Sequence, residues 1–227
     1  PYSRKRYVDL SDEDQRKLRN TVMRVVNIKQ LAPSNDDTSM YYVFERLNTG
    51  GTPLRPQEIR NCVFSGEIVN ELRELNDRPA WRKIIARPKP EKHQRDVEII
   101  LRIFAFFLAA NDYEKPMKSF LNRAMAENRT ADSKSFKNFK TAFISLTDQL
   151  LEQVGEKPFH VRGPINLAAL DSVYYALLPK YQKLPENLKS KVAALYQDEQ
   201  YKQTIFFNTS DAITVEERLK VARSYLK

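Results

Sequence analysis

Residues Phe136 to Val154 read Phe-Lys-Asn-Phe-Lys-Thr-Ala-Phe-Ile-Ser-Leu-Thr-Asp-Gln-Leu-Leu-Glu-Gln-Val, and this stretch indicates the fold class. Its large apolar residues recur at intervals of three and four, the spacing of one face of an α-helix. The stretch from Gln94 to Ala110 is apolar on almost every side after its first turn, as expected of a central buried helix. A further helical stripe runs from Leu167 to Leu177. The chain is therefore predicted to be mainly α.

The N-terminal part combines helix signals with one strand signal. Ser11, followed by three acidic residues, predicts the N-cap of a helix that continues to about Asn20. The β-branched stretch from Thr21 to Leu31 predicts a strand. A lone strand leaves its backbone groups unpaired, so we expect partner strands in a missing N-terminal segment. Apolar residues then recur at helical spacing between Asp37 and Leu47; they are Met40, Val43, Phe44 and Leu47.

Proline-rich and charged residues separate these elements from the C-terminal helices. The segment from Asn76 to Lys92 predicts a connection, and we expect two domains, residues 1–78 and 79–227. The first would be the C-terminal part of an α+β domain and the second a helical bundle. The last two helices are predicted over Pro185 to Tyr196 and Val215 to Leu226, and Thr214-x-x-Glu217 resembles a capping box.

Composition excludes several classes of protein. The 227 residues carry a formal net charge of +9, which favours phosphate-rich partners without specifying one. One cysteine cannot form an internal disulfide, and with two histidines it falls short of a structural zinc site. The longest apolar run, Ile103 to Ala110, is too short to cross a bilayer. The sequence predicts a soluble, cytoplasmic protein with no metal site.

Two of the five glycines stand side by side in Asn48-Thr-Gly-Gly51, between two predicted helices. Glycine amides can approach a phosphate closely, and the N-terminus of the next helix, after Pro56, offers unpaired N–H groups. Arg46, Arg55 and Arg60 could add guanidinium groups suited to phosphate oxygens. A Gly-Gly turn between helices is also a common C-cap and corner, so the residues alone leave both interpretations open.

The string Phe44-Glu-Arg-Leu-Asn-Thr-Gly-Gly-Thr-Pro-Leu, continued by Pro56-Gln-Glu-Ile-Arg-Asn61, resembles the signature of the GmrSD-type restriction enzyme N-terminal domain family. The resemblance extends more loosely to residues around Arg95-Asp-Val-Glu98 and to the last helix. It implies a ParB/sulfiredoxin-like α+β domain joined to a helical domain. It also implies a role in cleaving or sensing foreign DNA, with a nucleoside triphosphate and Mg²⁺ as candidate cofactors in some members.

The sequence departs from the family in two respects. Family members carry an Asp-Gly-Gln-Gln-Arg motif on the N-terminal side, where the family places its chemistry, and these 227 residues contain no such motif. We therefore expect nuclease or NTPase activity only if a longer parent protein supplies an N-terminal catalytic half. Arg55 also stands where the family has a small capping residue before the Pro-Gln-Glu helix.

Carried over residue by residue, the resemblance gives a candidate nucleotide- or phosphate-binding site. Its members are Arg46, Asn48, Thr49, Gly50 and Gly51, with Glu58, Arg60 and Asn61 as secondary positions. Arg46 has two interpretations that the sequence does not separate. It meets a phosphate, or it forms a salt bridge with Glu58 that ties two helices together.

A second candidate is the basic segment from Arg82 to Lys140, which has 14 Lys plus Arg against 7 Asp plus Glu. Such a surface could bind DNA phosphates without reading sequence, or it could be an ordinary solvated face. The candidate DNA-binding residues cluster around Trp81, which is more simply a packing residue; they are Arg82, Lys83, Arg87, Lys89, Lys92 and Arg95.

Other polar residues are assigned structural roles. Asp96 is expected to tie helices together through an arginine, and Cys62 is expected to be buried. His93 and His160 lack a neighbouring pattern that would make a catalytic pair. The leading hypothesis is a DNA- or nucleotide-binding part of a prokaryotic restriction-type defence protein, acting with DNA and a companion nuclease domain or subunit and not with a membrane. The alternative is a non-catalytic helical adaptor that binds a partner protein or nucleic acid through a basic face.

Overall fold

A computed structural model of the chain describes residues 5–23, 25, 38–48 and 53–227. Contacts divide it into two compact units, Pro1–Ser34 and Asn35–Lys227. The domain boundary expected after residue 78 falls inside the second unit, where helices on both sides of that position pack together.

The first unit contains a 3₁₀ helix, Tyr7–Asp9, and helix α1, Asp12–Arg19. The Ser11 hydroxyl accepts the backbone N–H of Asp14 at 3.2 Å, so the predicted N-cap is confirmed. Acidic residues fill the first turn of α1 and basic residues the last, which complements the helix dipole. The predicted strand is not seen over residues 21–23 and 25; its other positions lie outside the described residues.

The second unit is helical throughout the residues described. Its helices are α2 (Thr38–Leu47), α3 (Pro56–Val63), α4 (Glu67–Asp77), α5 (Pro79–Ile84), α6 (Arg95–Ala109), α7 (Met117–Glu127), α8 (Lys134–Gln153), α9 (Leu167–Leu177), α10 (Leu188–Gln197), α11 (Glu199–Phe206) and α12 (Ala212–Tyr225). The described part of the chain holds no β-strand. The mainly-α expectation is therefore confirmed. None of the described helices is both long and apolar enough to span a bilayer.

Helix α6 lies at the centre, as its all-round apolar pattern predicts. It packs against α4, α7, α8 and α9, and nine of its fifteen residues are buried. The predicted stripe on α8 is also confirmed, since Phe136, Phe139 and Phe143 are fully buried. Phe104 of α6 packs against Phe136 and Phe139 with ring centroids 5.0 and 4.9 Å apart. Burial of each such ring stabilises the fold by about 1.5–3 kcal/mol.

The segment predicted to be a connection contains helix α5 instead. Trp81 of α5 is fully buried, its ring 5.2 Å from that of Phe143, and its indole N–H donates to the Asn76 side chain at 3.1 Å. The packing role assigned to Trp81 is therefore confirmed. Trp81 and the fully buried Ile84 pack α5 into the core, and α5 contacts α8 despite the flanking prolines and charges.

One smaller expectation is wrong. Helix α12 begins at Ala212 after Asp211, so Thr214 lies within the first turn and is not the N-cap. The helix predicted from Met40, Val43, Phe44 and Leu47 is confirmed as α2, but its apolar stripe does not face the described core: Met40 and Phe44 are 38% and 39% exposed, and Leu47 is 61% exposed. Tyr41 is the buried residue of α2 and stacks on Phe64.

Candidate phosphate-binding site

The candidate site begins where α2 ends and α3 starts. Residues 49–52, which include Thr49, Gly50 and Gly51, lie outside the described residues. Asn48, at the end of α2, is half-buried, and its side-chain amide donates to the Leu54 carbonyl at 3.4 Å. Asn48 therefore links the two sides of the turn, which matches the orienting role proposed for it.

Glu58 completes the start of α3. Its carboxylate accepts the backbone N–H of Arg55 at 2.7 Å, so a third-position Glu supplies the cap that Arg55 cannot. The Nδ1 atom of His93 lies 3.4 Å from the same carboxylate. The Arg55 N–H, joined by the His93 contact, holds the pKa of Glu58 below its ordinary value. No ion pair between Arg46 and Glu58 occurs in the described structure, so their postulated salt bridge is not formed.

Arg60, on α3, is buried. Its guanidinium donates to Glu98 at 2.6 Å, Asn122 at 2.8 Å and Gln57 at 3.1 Å. These contacts tie α3 to α6 and α7. The Arg60 Nε and Nη1 groups, which could otherwise donate to a phosphate, already donate to these side chains. The candidate phosphate-binding role of Arg60 is replaced by a structural one.

The other secondary position and the neighbouring cysteine also differ in role from expectation. The Asn61 amide donates to Gln94 at 2.6 Å and its carbonyl oxygen accepts from Gln57, so Asn61 joins the same internal network. Cys62 is exposed, and the expectation that it is buried is wrong. The reason is the orientation of α3, which turns Gln57, Ile59 and Arg60 inward.

Two arginines flank the turn with exposed side chains. Arg46, in the last turn of α2, and Arg55, just before α3, have no side-chain partner among the residues described. The neighbouring Glu45 is paired with Lys118 of α7 at 2.9 Å, which fixes α2 to α7. The geometry therefore leaves Arg46 and Arg55 as the cations available to an anion at this turn.

The candidate DNA-binding residues around Trp81 differ in exposure: Arg82 is buried, whereas Lys89 and Lys92 are exposed. Arg82 is 7% exposed, and its guanidinium bonds Asp96 at 2.8 Å, the Asn76 side chain and the backbone carbonyls of Arg87 and Lys89. It cannot contact DNA in this arrangement, and that assignment is corrected. The expectation that Asp96 ties helices through an arginine is confirmed.

Three further members of the basic segment are paired with carboxylates. Lys83 lies 3.5 Å from Glu156, and both Arg87 and Arg95 contact Glu91. Lys89 and Lys92 are exposed and have no ion-pair partner within the described ranges. Their loop is fixed from beneath, because Arg82 binds the Lys89 carbonyl and Asp96 accepts the Glu91 N–H at 2.9 Å. Of six candidates, two remain positioned to meet a phosphate.

Sequence reasoning did not find a buried polar cluster between α6, α9 and α12. Arg102 donates to Asp171 at 2.6 Å, and fully buried Arg218 donates to the carbonyls of Thr204 and Thr209 at 3.1 Å each. Burial raises the pKa of Asp171, against the opposing effect of Arg102. Nothing in the local sequence signals this cluster, since its members lie far apart along the chain.

Comparisons with protein-family models, with curated proteins and with solved structures find no match to this chain. Within the described residues, no group of His, Cys, Asp and Glu side chains is arranged to hold a metal ion. The family resemblance and its implied cofactors therefore stay predictions, and the site is judged on its own geometry.

We predict that Arg82→Ala lowers the free energy of unfolding by about 3–5 kcal/mol, because it leaves Asp96 as a buried, uncompensated charge. Thermal and urea denaturation would measure the change. Lys83→Ala is the matched control; its pair with Glu156 is exposed, and we expect a loss below about 1 kcal/mol. An Arg82→Ala protein as stable as the wild type would show that the buried pair contributes little.

We predict that Glu58→Gln lowers stability by about 1 kcal/mol near neutral pH, because it weakens the charged cap of α3. The pKa of Glu58 is lower in the folded chain than in the unfolded chain, so its contribution is complete above the unfolded value. It is lost as the pH falls through the folded value. The difference between wild type and variant should therefore shrink below about pH 4.

Urea denaturation between pH 3 and 7 checks the Glu58 prediction. Glu152→Gln, a change at an exposed position on α8, serves as the control and should alter stability by less than about 0.5 kcal/mol. A Glu58→Gln deficit that is the same at every pH would contradict the assignment of the effect to the ionised carboxylate.

Proposed function

We propose that this chain is a DNA- or nucleotide-binding helical module of a prokaryotic defence protein of the restriction type. The observation that carries the proposal is the pair Arg46 and Arg55, exposed and unpaired within the described structure on either side of the Gly50-Gly51 segment. Two guanidinium groups around a glycine-containing turn suit the oxygens of one phosphate group.

The surrounding contacts support a fixed frame for such a turn. The Asn48 amide bonds the Leu54 carbonyl across it, and Glu58 secures the backbone of Arg55. Arg60 anchors α3 to α6 from below. Since Glu58 already occupies the N-terminus of α3, the proposal assigns the phosphate to the exposed Arg46 and Arg55 side chains.

We extend the proposal to the fold of the parent protein. The resemblance of residues 44–61 to the GmrSD-type family implies a ParB/sulfiredoxin-like α+β part upstream of the helical unit. Nuclease or NTPase chemistry, with a nucleoside triphosphate and Mg²⁺, would depend on residues that these 227 positions do not contain. In this proposal the described helical unit binds and positions the DNA or nucleotide. A companion domain or subunit carries out the nuclease or NTPase reaction.

A non-catalytic helical adaptor is the second candidate function. The observation that favours it is the pairing of most of the cations expected to meet DNA with carboxylates of the same chain. The exposed apolar residues Met40, Phe44 and Leu47 of α2 also suit contact with a protein. In this case the Gly-Gly turn would be only a corner between two helices.

We predict that Arg46→Ala weakens binding of DNA or nucleotide about ten-fold while the fold is retained, because it removes one charge-assisted hydrogen-bond donor from the phosphate. Fluorescence anisotropy with a labelled DNA duplex and calorimetry with ATP and Mg²⁺ would measure the two affinities. Hydrogen exchange should show protection over residues 46–51 when ligand is bound.

Arg73→Ala is the matched control for Arg46→Ala, because Arg73 is an exposed, unpaired arginine of α4 in the described structure. It should leave both affinities within two-fold of the wild type, the range of a neutral surface change. Binding that survives Arg46→Ala unchanged would reject the phosphate site and favour the adaptor.

We predict that removing Lys89 and Lys92 together reduces the salt dependence of DNA binding. Each phosphate contact contributes about 0.9 to the slope of log affinity against log salt, so the double alanine variant should lower that slope by about 1.8. Lys83→Ala with Arg95→Ala is the control, since both residues are already paired with carboxylates. An unchanged slope in the Lys89 and Lys92 variant would exclude that loop from the DNA interface.

A further inference from the structure

A second concentration of positive charge lies at the C-terminal end of α12, far along the chain from the Gly-Gly segment. Lys220 and Arg223 stand three residues apart on one face of α12, and Lys227 follows after the helix ends at Tyr225. All three line a pocket of about 670 Å³, which Tyr175 of α9 and Tyr113 also line. The volume lies within the range of sites that hold small organic ligands.

Arg223 is held in place by an aromatic ring. Its guanidinium carbon lies 4.1 Å from the centre of the Tyr175 ring, a close cation–π contact. Stacking uses one flat face of the guanidinium, while its N–H groups point outward from the edge. Because Arg223 is exposed and forms no ion pair within the described residues, its N–H donors stay available beside the Tyr175 ring.

Two more lysines bind backbone oxygens after the last turn of α12. Lys180 donates at 2.9 Å to the carbonyl of Leu226, the C-cap residue, and Lys191 donates at 2.7 Å to the backbone oxygen of Lys227, past the end of the helix. A cation at a helix C-terminus interacts favourably with the helix dipole. These contacts account for Lys180 and Lys191.

The charges that line the pocket are not balanced internally. Glu216 is the one carboxylate side chain among its lining residues, against Lys220, Arg223 and Lys227. None of these three cations forms an ion pair within the described parts of the chain. Most cations of the basic segment around Trp81, by contrast, are paired with carboxylates. An unpaired positive charge beside apolar and aromatic surface favours an anion that carries a flat organic group.

We propose that this pocket, between α9 and α12, binds a nucleotide unit, either as a free mononucleotide or within a nucleic acid strand. Lys220 and the edge of Arg223 bind the phosphate, and the outer face of the Arg223 guanidinium stacks on the base. The site is separate from the Arg46 and Arg55 turn, and it does not rest on the function proposed for that turn.

The test uses the full chain with three probes: AMP, a 12-nucleotide single strand of dA, and inorganic phosphate. Calorimetry at low salt measures the affinities, and hydrogen exchange locates the protected segment. We expect AMP or the strand to bind with protection at residues 212–227, and Arg223→Ala to weaken binding about ten-fold. Binding of AMP itself identifies a free nucleotide as the source, and binding of the strand alone identifies a nucleic acid.

The controls separate this site from the one proposed earlier. Arg73→Ala should leave the affinity unchanged, and Lys220→Ala provides a second test if Arg223→Ala alters the fold. Equal binding by wild type and both pocket variants overturns the proposal, as does inorganic phosphate binding as tightly as AMP. If Arg46→Ala abolishes binding of these probes while Arg223→Ala does not, this pocket is rejected; the reverse result assigns their binding to this pocket.

Discussion

The buried ion pair between Arg82 and Asp96 is the interaction on which the centre of the fold depends. Removing both charges from water is costly, and the cost is offset only because almost every donor and acceptor finds a partner. Arg82 reaches Asn76 and the carbonyls of Arg87 and Lys89, while Asp96 accepts the Glu91 N–H. Because burial opposes ionisation and these hydrogen bonds outweigh it, the pKa of Asp96 stays below its ordinary value. One pair thereby joins α5 to α6 and fixes the loop between them.

Ion pairing within the chain also determines which positive charges remain available to a ligand. Of the fourteen Lys and Arg residues between Arg82 and Lys140, at least eight lie within 4 Å of a carboxylate of the described residues. Their partners include Glu45, Glu156, Asp171 and Asp211, which lie outside that segment. A local charge of +7 is therefore largely compensated by carboxylates brought from elsewhere by the fold. Cations without an ion-pair partner in the described structure include Arg46 and Arg55 beside the Gly-Gly segment, Lys89 and Lys92 in the loop before α6, and Lys220 and Arg223 on α12.

Sequence periodicity predicted the long helices well and the local roles of charged residues poorly. Helices α6 and α8 repeat their apolar residues over four turns or more, so the helical period is clear even where single positions depart from it. Helix α5 spans six residues among prolines and charges, and its place is set by Trp81 rather than by a repeat. Arg60 and Glu98 are separated by 38 positions, so the sequence near Arg60 does not show that its guanidinium is paired with a carboxylate of the same chain. The stripe on α2 predicted the helix, but it could not show that Tyr41 instead faces the core.

An arginine in a motif is therefore informative about binding only after its partners are known. Arg46, Arg55 and Arg60 look equivalent in the sequence, because each stands within ten residues of Gly50-Gly51. The fold separates them: Arg60 is enclosed by Glu98, Asn122 and Gln57, whereas Arg46 and Arg55 face solvent. Moving Arg60 outward to meet a phosphate would leave the buried carbonyl oxygen of Asn122 without its donor, a loss of about 1–3 kcal/mol, and would separate Arg60 from Glu98. An anion at this turn must therefore be bound by the exposed pair, with Arg60 holding α3 in position.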